Sequence, residues 1–188
     1  MRHALLDSST PASVRDELAA LLGSVFRPHP KQREMIDTWA ADTERLTLLA
    51  LEQGHVLGAM VVRRTTSQHL QSYGPPFGVD LQALLGERAV GALQLLAVHP
   101  DRRHQGIGRG LGQALVERLE ERGATALVGV SWDHGRGQGS RGMFEANGFE
   151  VLAESTTFYA RMHQQTGQVC RYCRPEPCSC NAVLFLRA

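Results

Sequence analysis

The stretch that most restricts how this chain can fold begins with an apolar run, Leu93 to Val98. It turns through His99-Pro100-Asp101 and enters Arg102-Arg103-His104-Gln105-Gly106-Ile107-Gly108-Arg109-Gly110-Leu111-Gly112. The run has the length and bounds of a buried strand. Beyond the turn, Ile107, Leu111, Leu115 and Leu119 recur every four residues, the buried stripe of a helix that Gly123 ends. A strand feeding a helix in this way belongs to alternating α/β architecture. The start of a helix presents unpaired N–H groups and a partial positive charge, a ready anion site. Glycines at 106 and 108 clear side chains from the side a ligand would approach. The segment therefore predicts a site for a diphosphate-bearing ligand.

Two familiar phosphate motifs fail here. A P-loop requires Lys and then Ser or Thr after its second glycine, where this chain has Arg109 and Gly110. A dinucleotide fingerprint requires glycine at position 111, where Leu111 stands. A third pattern fits. Arg103-x-x-Gly106-x-Gly108, preceded by Leu96-Ala97-Val98-His99-Pro100, resembles the acyl-CoA loop of the GNAT N-acetyltransferase superfamily. Gly142-Met143-Phe144-Glu145-Ala146-Asn147-Gly148-Phe149 resembles that family's short helix ending in Gly-Phe, so the likeness runs from about Leu93 to Phe149.

The resemblance implies a mixed, mostly antiparallel central sheet flanked by helices. Two central strands splay apart, and the pantetheine arm of acetyl-CoA, the cosubstrate, lies between them. It assigns the main chain of Leu96, Ala97 and Val98 to the arm and thioester, with an N–H near Val98 steadying the carbonyl oxygen. His104, Gln105, Gly106, Ile107, Gly108 and Arg109 wrap the pyrophosphate, with Arg109 adding charge-assisted bonds, and Arg103 joins the cofactor-binding set. The chain departs from the family in its proton chemistry. Phe144 replaces the Tyr that protonates the leaving thiolate, and Leu95, Gln94, Leu93 and Ala92 offer no carboxylate base. The family's Asn before the short helix is also missing, within Gly135-Arg136-Gly137-Gln138-Gly139. The candidates for proton handling are Asp133 and His134, with Tyr73 or Tyr159 as a substitute hydroxyl and water as a further route. His99, before Pro100, reads as structural.

The rest of the chain agrees with an α/β domain. Thr10 is placed to cap a helix with Pro11 at its first position and Val14, Leu18, Leu21, Leu22 and Val25 as its stripe. Lys31 to Ala41 predicts a second helix burying Met35 and Trp39. Leu46 to Leu51 and Val56 to Val62 predict a hairpin turning at Gln53-Gly54. Thr65 to Asp80, rich in Gly, Pro, Ser and Gln, is expected to be irregular and to serve as a lid. Ala126 to Val130, Phe149 to Tyr159 and Ala182 to Leu186 read as strands.

All four cysteines fall in Cys170-x-x-Cys173-x4-Cys178-x-Cys180, with Pro175 and Pro177 stiffening the turn between the pairs. Four thiolates can hold one tetrahedral ion, and structural Zn2+ is favoured over two disulfides, four free thiols or an iron–sulfur cluster. The knuckle would occupy about residues 165–181 of a single domain spanning 1–188. Acidic and basic residues nearly cancel, 19 against 20, which suggests neither nucleic acid nor membrane as a partner. No membrane span or signal-peptide core is legible, so a soluble, cytoplasmic protein is expected. The sequence thus predicts an acetyl-CoA-dependent N-acetyltransferase acting on an amine-bearing acceptor of unread class, with a homodimer left open. The alternative is a non-catalytic GNAT-fold module that binds CoA or docks a partner.

Overall fold

The computed structural model describes the chain apart from residues 27, 71–73, 135–138, 167–169, 171–172 and 174–177. The first half runs β1 (Arg2–Leu5), α1 (Ala12–Val25), α2 (Gln32–Ala41), β2 (Arg45–Glu52), β3 (His55–Thr66) and α3 (Leu81–Leu85). Then come β4 (Ala89–Val98), α4 (Ile107–Glu121), β5 (Ala126–Asp133), α5 (Arg141–Ala146), β6 (Glu150–Ser155), α6 (Phe158–Thr166) and β7 (Asn181–Arg187). The class is mixed α/β with mostly antiparallel strands flanked by helices, as the sequence implies. No helix among the described residues is long and apolar enough to cross a membrane.

The chain divides into two compact units, Met1–Arg64 with Gly91–Gly123, and Thr65–Val90 with Ala124–Ala188. In the first, strands follow the order β1-β2-β3-β4. The β2–β3 turn takes the left-handed conformation at Gln53 and Gly54, as a tight hairpin requires. The apolar stripe of α1 buries Leu18, Leu21 and Leu22 against Leu49, Leu51 and Ala97. Ion pairs of Arg15 with Asp37 (2.7 Å) and of Arg33 with Asp16 (2.8 Å) tie α2 to α1. Thr10 does not cap α1: its Oγ1 accepts from the Asp7 N–H, and the helix opens after Pro11. In α2 the buried apolar residue is Ile36, while Met35 is exposed and Trp39 lies half-buried under Arg45. The stripe of α2 is thus one residue out of phase with the expectation.

In the second unit β7 lies between β5 and β6, antiparallel to both. Phe144, Phe149 and Phe185 form its aromatic centre. The expected lid is largely packed where described. β3 continues to Thr66, 3-10 turns cover Ser67–Leu70 and Pro75–Phe77, and Ser67, Leu70 and Phe77 are buried. The strand expected over Phe149 to Tyr159 stops at Ser155, because Thr157 opens α6 by accepting from the Arg161 N–H.

Candidate functional site

In the first unit the predicted cofactor residues form one continuous path. Leu96, Ala97 and Val98 end β4, and the His99 N–H donates to Leu57 O on β3 at 2.9 Å. The chain makes a 3-10 turn over Pro100–Arg102, where Arg102 pairs with Glu52 at 3.6 Å. His99 Nδ1 accepts from the Asp101 N–H, so this histidine fastens the turn. His104 and Gly106 take left-handed φ values of 61° and 79°, which aim the backbone into α4. His104, Gln105 and Gly106 are exposed, Arg103 is half-buried and Arg109 is exposed. The first turn of α4 carries no acidic side chain to oppose an anion.

Ile107 differs from its neighbours, because its side chain is buried in the core and only its main chain can serve a ligand. A residue the sequence reading passed over explains how α4 seats so closely. A Cβ on Gly58 would lie 3.0 Å from Ile107 Cγ2 and 3.2 Å from Ala97 O, so β3 approaches the helix start only as glycine.

The second unit brings together groups that the sequence left separate. Asp133 ends β5, His134 follows it, and the register sets Asp133 directly opposite Asn181, the first residue of β7. Cys180 immediately precedes Asn181. Asp133, His134, Cys173, Ser179, Cys180 and Asn181 consequently line one open pocket of about 270 Å³. Asn181 Nδ2 donates to Glu154 Oε2 at 2.9 Å, while its buried Oδ1 has no partner among the described residues. Trp132 packs its ring against His134 and Tyr159, at centroid distances of 5.2 and 5.9 Å.

The sulfur atoms of Cys170, Cys173, Cys178 and Cys180 all lie within 4.8 Å of one another, and no S–S bond joins them. Cys173 Sγ is 3.4 Å and Cys170 Sγ 3.8 Å from Cys180 Sγ. Two thiolates about 2.3 Å from one tetrahedral ion would stand about 3.8 Å apart, so the donor set suits zinc in both chemistry and spacing. The Ser179 N–H, donating to Cys173, holds that thiol down at about 6, helped by the Cys180 thiol. Burial pushes Cys178 up to about 11 and Cys180 higher still, with the Trp132 N–H acting against it.

Phe144 is 2% exposed and stacks on Phe185 at 4.5 Å, so it is a core residue. Tyr159 lies on α6 beside the cysteines. Tyr73, Pro175, Pro177 and the run 135–138 lie outside the described residues. The sequence reading missed Asn181 and Ser179 at the pocket, and Trp132, which packs against His134. Only the pairing of β5 with β7 assembles them, although the adjacency of Cys180 and Asn181 was a usable signal.

An apolar strand thus delivers a glycine-opened helix start in a mostly antiparallel, mixed α/β fold. The chain belongs to the GNAT acetyltransferase family, whose model matches residues 12–149. That match takes in the whole 96–109 path and stops before the cysteines. Among curated protein sequences, none matches. Of solved structures, an aminoglycoside 6'-N-acetyltransferase complexed with coenzyme A is similar in fold at 14% identity, with a TM-score of 0.67 over 100% of this chain and 96% of that one. The aminoglycoside 6'-N-acetyltransferase from Enterococcus faecium aligns at 14% identity with a TM-score of 0.66, over 100% and 96% of the two chains. The ribosomal-protein-S18-alanine N-acetyltransferase from Escherichia coli aligns at 14% identity with a TM-score of 0.61, over 98% and 92%.

Proposed function

We propose that this protein is an acetyl-CoA-dependent N-acetyltransferase in which an amine acceptor attacks the thioester directly. The observation that carries the reading is the start of α4, where Gly106 turns the chain at φ 79° with nothing within 4 Å of a Cβ and no acidic side chain stands in the first helical turn. The N–H groups of a helix start, with Arg109 beside them, suit a diphosphate. The family match over the same residues supports acetyl transfer, and coenzyme A in one structural neighbour supports the choice of cosubstrate. A strand N–H near Val98 would steady the carbonyl oxygen as it gains charge. Asp133 or His134, at the end of β5, would take the amine proton. The cysteines would hold a structural zinc ion whose closed four-sulfur shell leaves no place for a catalytic water.

A second reading, a non-catalytic CoA-binding or partner-docking module, is favoured by Phe144, whose buried ring offers no proton to a leaving thiolate. Calorimetric titration with acetyl-CoA tests the cofactor assignment: saturable binding in the wild type and none in Gly108→Asp is expected. Equal affinity in the two proteins would remove it.

A further inference from the structure

The family match ends at residue 149 and leaves all four cysteines outside it. The four are not equivalent, because two of them line an open pocket and two do not. We propose that Cys173 and Cys180 form a site of reversible oxidation, at which a hydroperoxide joins the two sulfurs in a disulfide and expels the zinc ion held by the four thiolates. The inference rests on the zinc reading for the ion and on the geometry of the thiols alone for the disulfide.

Access and distance select the same pair. Cys173 and Cys180 line the open pocket of about 270 Å³, whereas Cys170 and Cys178 do not. That volume equals roughly nine waters in the liquid, ample for hydrogen peroxide. Cys170, Cys178 and Cys180 are buried at 5, 7 and 4% exposure, and Cys173 is half-buried, so the first attack falls to Cys173. Cys180 touches the pocket but presents little surface, which suits it to the second step. The two sulfurs stand 3.4 Å apart, nearer than the 3.8 Å between Cys170 and Cys180. A disulfide brings two sulfurs to about 2.05 Å, so the 173–180 pair has the shorter gap to close.

The chemistry balances in two steps. Zinc keeps its ligands as thiolates, and the thiolate is the nucleophile of sulfur oxidation. The Cys173 sulfur attacks the peroxide, so an S–O bond forms and the O–O bond breaks. The leaving hydroxide, or alkoxide from an organic hydroperoxide, takes a proton from water. The Cys180 thiolate then attacks the Cys173 sulfur, the S–S bond forms, and the sulfenic oxygen departs as water after protonation. Two electrons pass from the sulfurs to the peroxide, and two thiolates, two protons and hydrogen peroxide become one disulfide and two waters. Cys170 and Cys178 alone supply half a tetrahedral shell, so the ion leaves. Trp132 and Tyr159 pack against the sulfurs, and Cys180 leads directly into β7, so the loss of the ion loosens this part of the second unit. A dithiol reductant reverses the step by thiol–disulfide exchange and restores the ligand set.

The test uses the full chain as purified, with its zinc. Hydrogen peroxide in small excess should release the ion to a chromogenic chelator, remove two of the four titratable thiols and lower Tm. Tandem mass spectrometry should place one disulfide between Cys173 and Cys180. A dithiol reductant with added Zn2+ should restore the thiols, the metal and Tm. Cys173→Ser should slow thiol loss at least about tenfold. Because that variant also removes a zinc ligand, the disulfide map of the wild-type chain carries the test by itself. A disulfide through Cys170 or Cys178, or oxidation that the reductant does not reverse, would overturn the proposal. Zinc and four thiols left intact by peroxide that fully oxidises glutathione would overturn this inference and leave the metal reading standing. Less than about half an equivalent of zinc on purification, with the Cys173–Cys180 disulfide still forming, would instead overturn the metal reading.

Discussion

Gly106 and Gly108 look alike in the sequence but serve different ends. Gly106 sits at φ 79°, and a Cβ there would meet nothing within 4 Å, so backbone conformation alone requires glycine. Gly106→Ala should therefore cost about 1 kcal/mol of stability, read as a lowered Tm, before any ligand is considered. At Gly108 a Cβ would meet Leu96 and Val98 at 3.6 and 3.7 Å, an ordinary contact. Gly108→Ala should leave Tm nearly unchanged, while Gly108→Asp should weaken acetyl-CoA binding by at least about tenfold in a calorimetric titration. The pattern of glycines was legible; which of them the fold needs and which a ligand needs was not, because φ and spacing are tertiary facts. Phe144 gives the reverse lesson. The sequence marked it as a lost proton donor, and the structure shows a core ring there, stacked on Phe185 and meeting Phe149 edge-on. Phe144→Tyr should consequently lower Tm, since a buried hydroxyl without a partner costs about 1–3 kcal/mol.

Among the elements, long periodic segments were legible, and the short helix α5 was legible through its resemblance to a family block. α4 buries Ile107, Leu111, Leu115 and Leu119 as its four-residue spacing predicts. β1, α3 and α6 were missed, being four, five and nine residues long. Two of these did carry local signals. Asp80 accepts from the Ala83 N–H at the start of α3, and Ser155-Thr156-Thr157 precedes α6. The aromatic residues Phe158 and Tyr159 favour a strand, and that preference outweighed the cap. The importance of Gly58 was not legible, because only the docking of β3 against α4 reveals it. Gly58→Val should destabilise the protein by about 1–3 kcal/mol through overpacking, measured by denaturant unfolding. The α1–α2 pair responds to acid through Asp37, whose carboxyl is held below its ordinary range chiefly by the Arg15 hydrogen bond. A depressed carboxyl stabilises the fold above its unfolded pKa and loses that contribution as pH falls through its folded value. The Tm difference between wild type and Asp37→Asn should therefore shrink on acidification below the ordinary carboxylate range.

For the whole molecule, the two candidate features fall on separate units: the helix-start loop on the first and the cysteine-walled pocket on the second. The loop lies within the matched family region and was readable from motif spacing. The pocket was readable only as pieces, Asp133 and His134 on one side and four cysteines on the other, because the β5–β7 register that joins them is non-local. The proposed acetyl transfer is tested by amine-dependent release of free CoA from acetyl-CoA. With zinc-loaded protein and a panel of amines, release should rise with at least one cationic amine, yield the N-acetylated product, and vanish in Gly108→Asp. Binding of acetyl-CoA with no amine accelerating CoA release would contradict the claim and leave a CoA-binding module in its place.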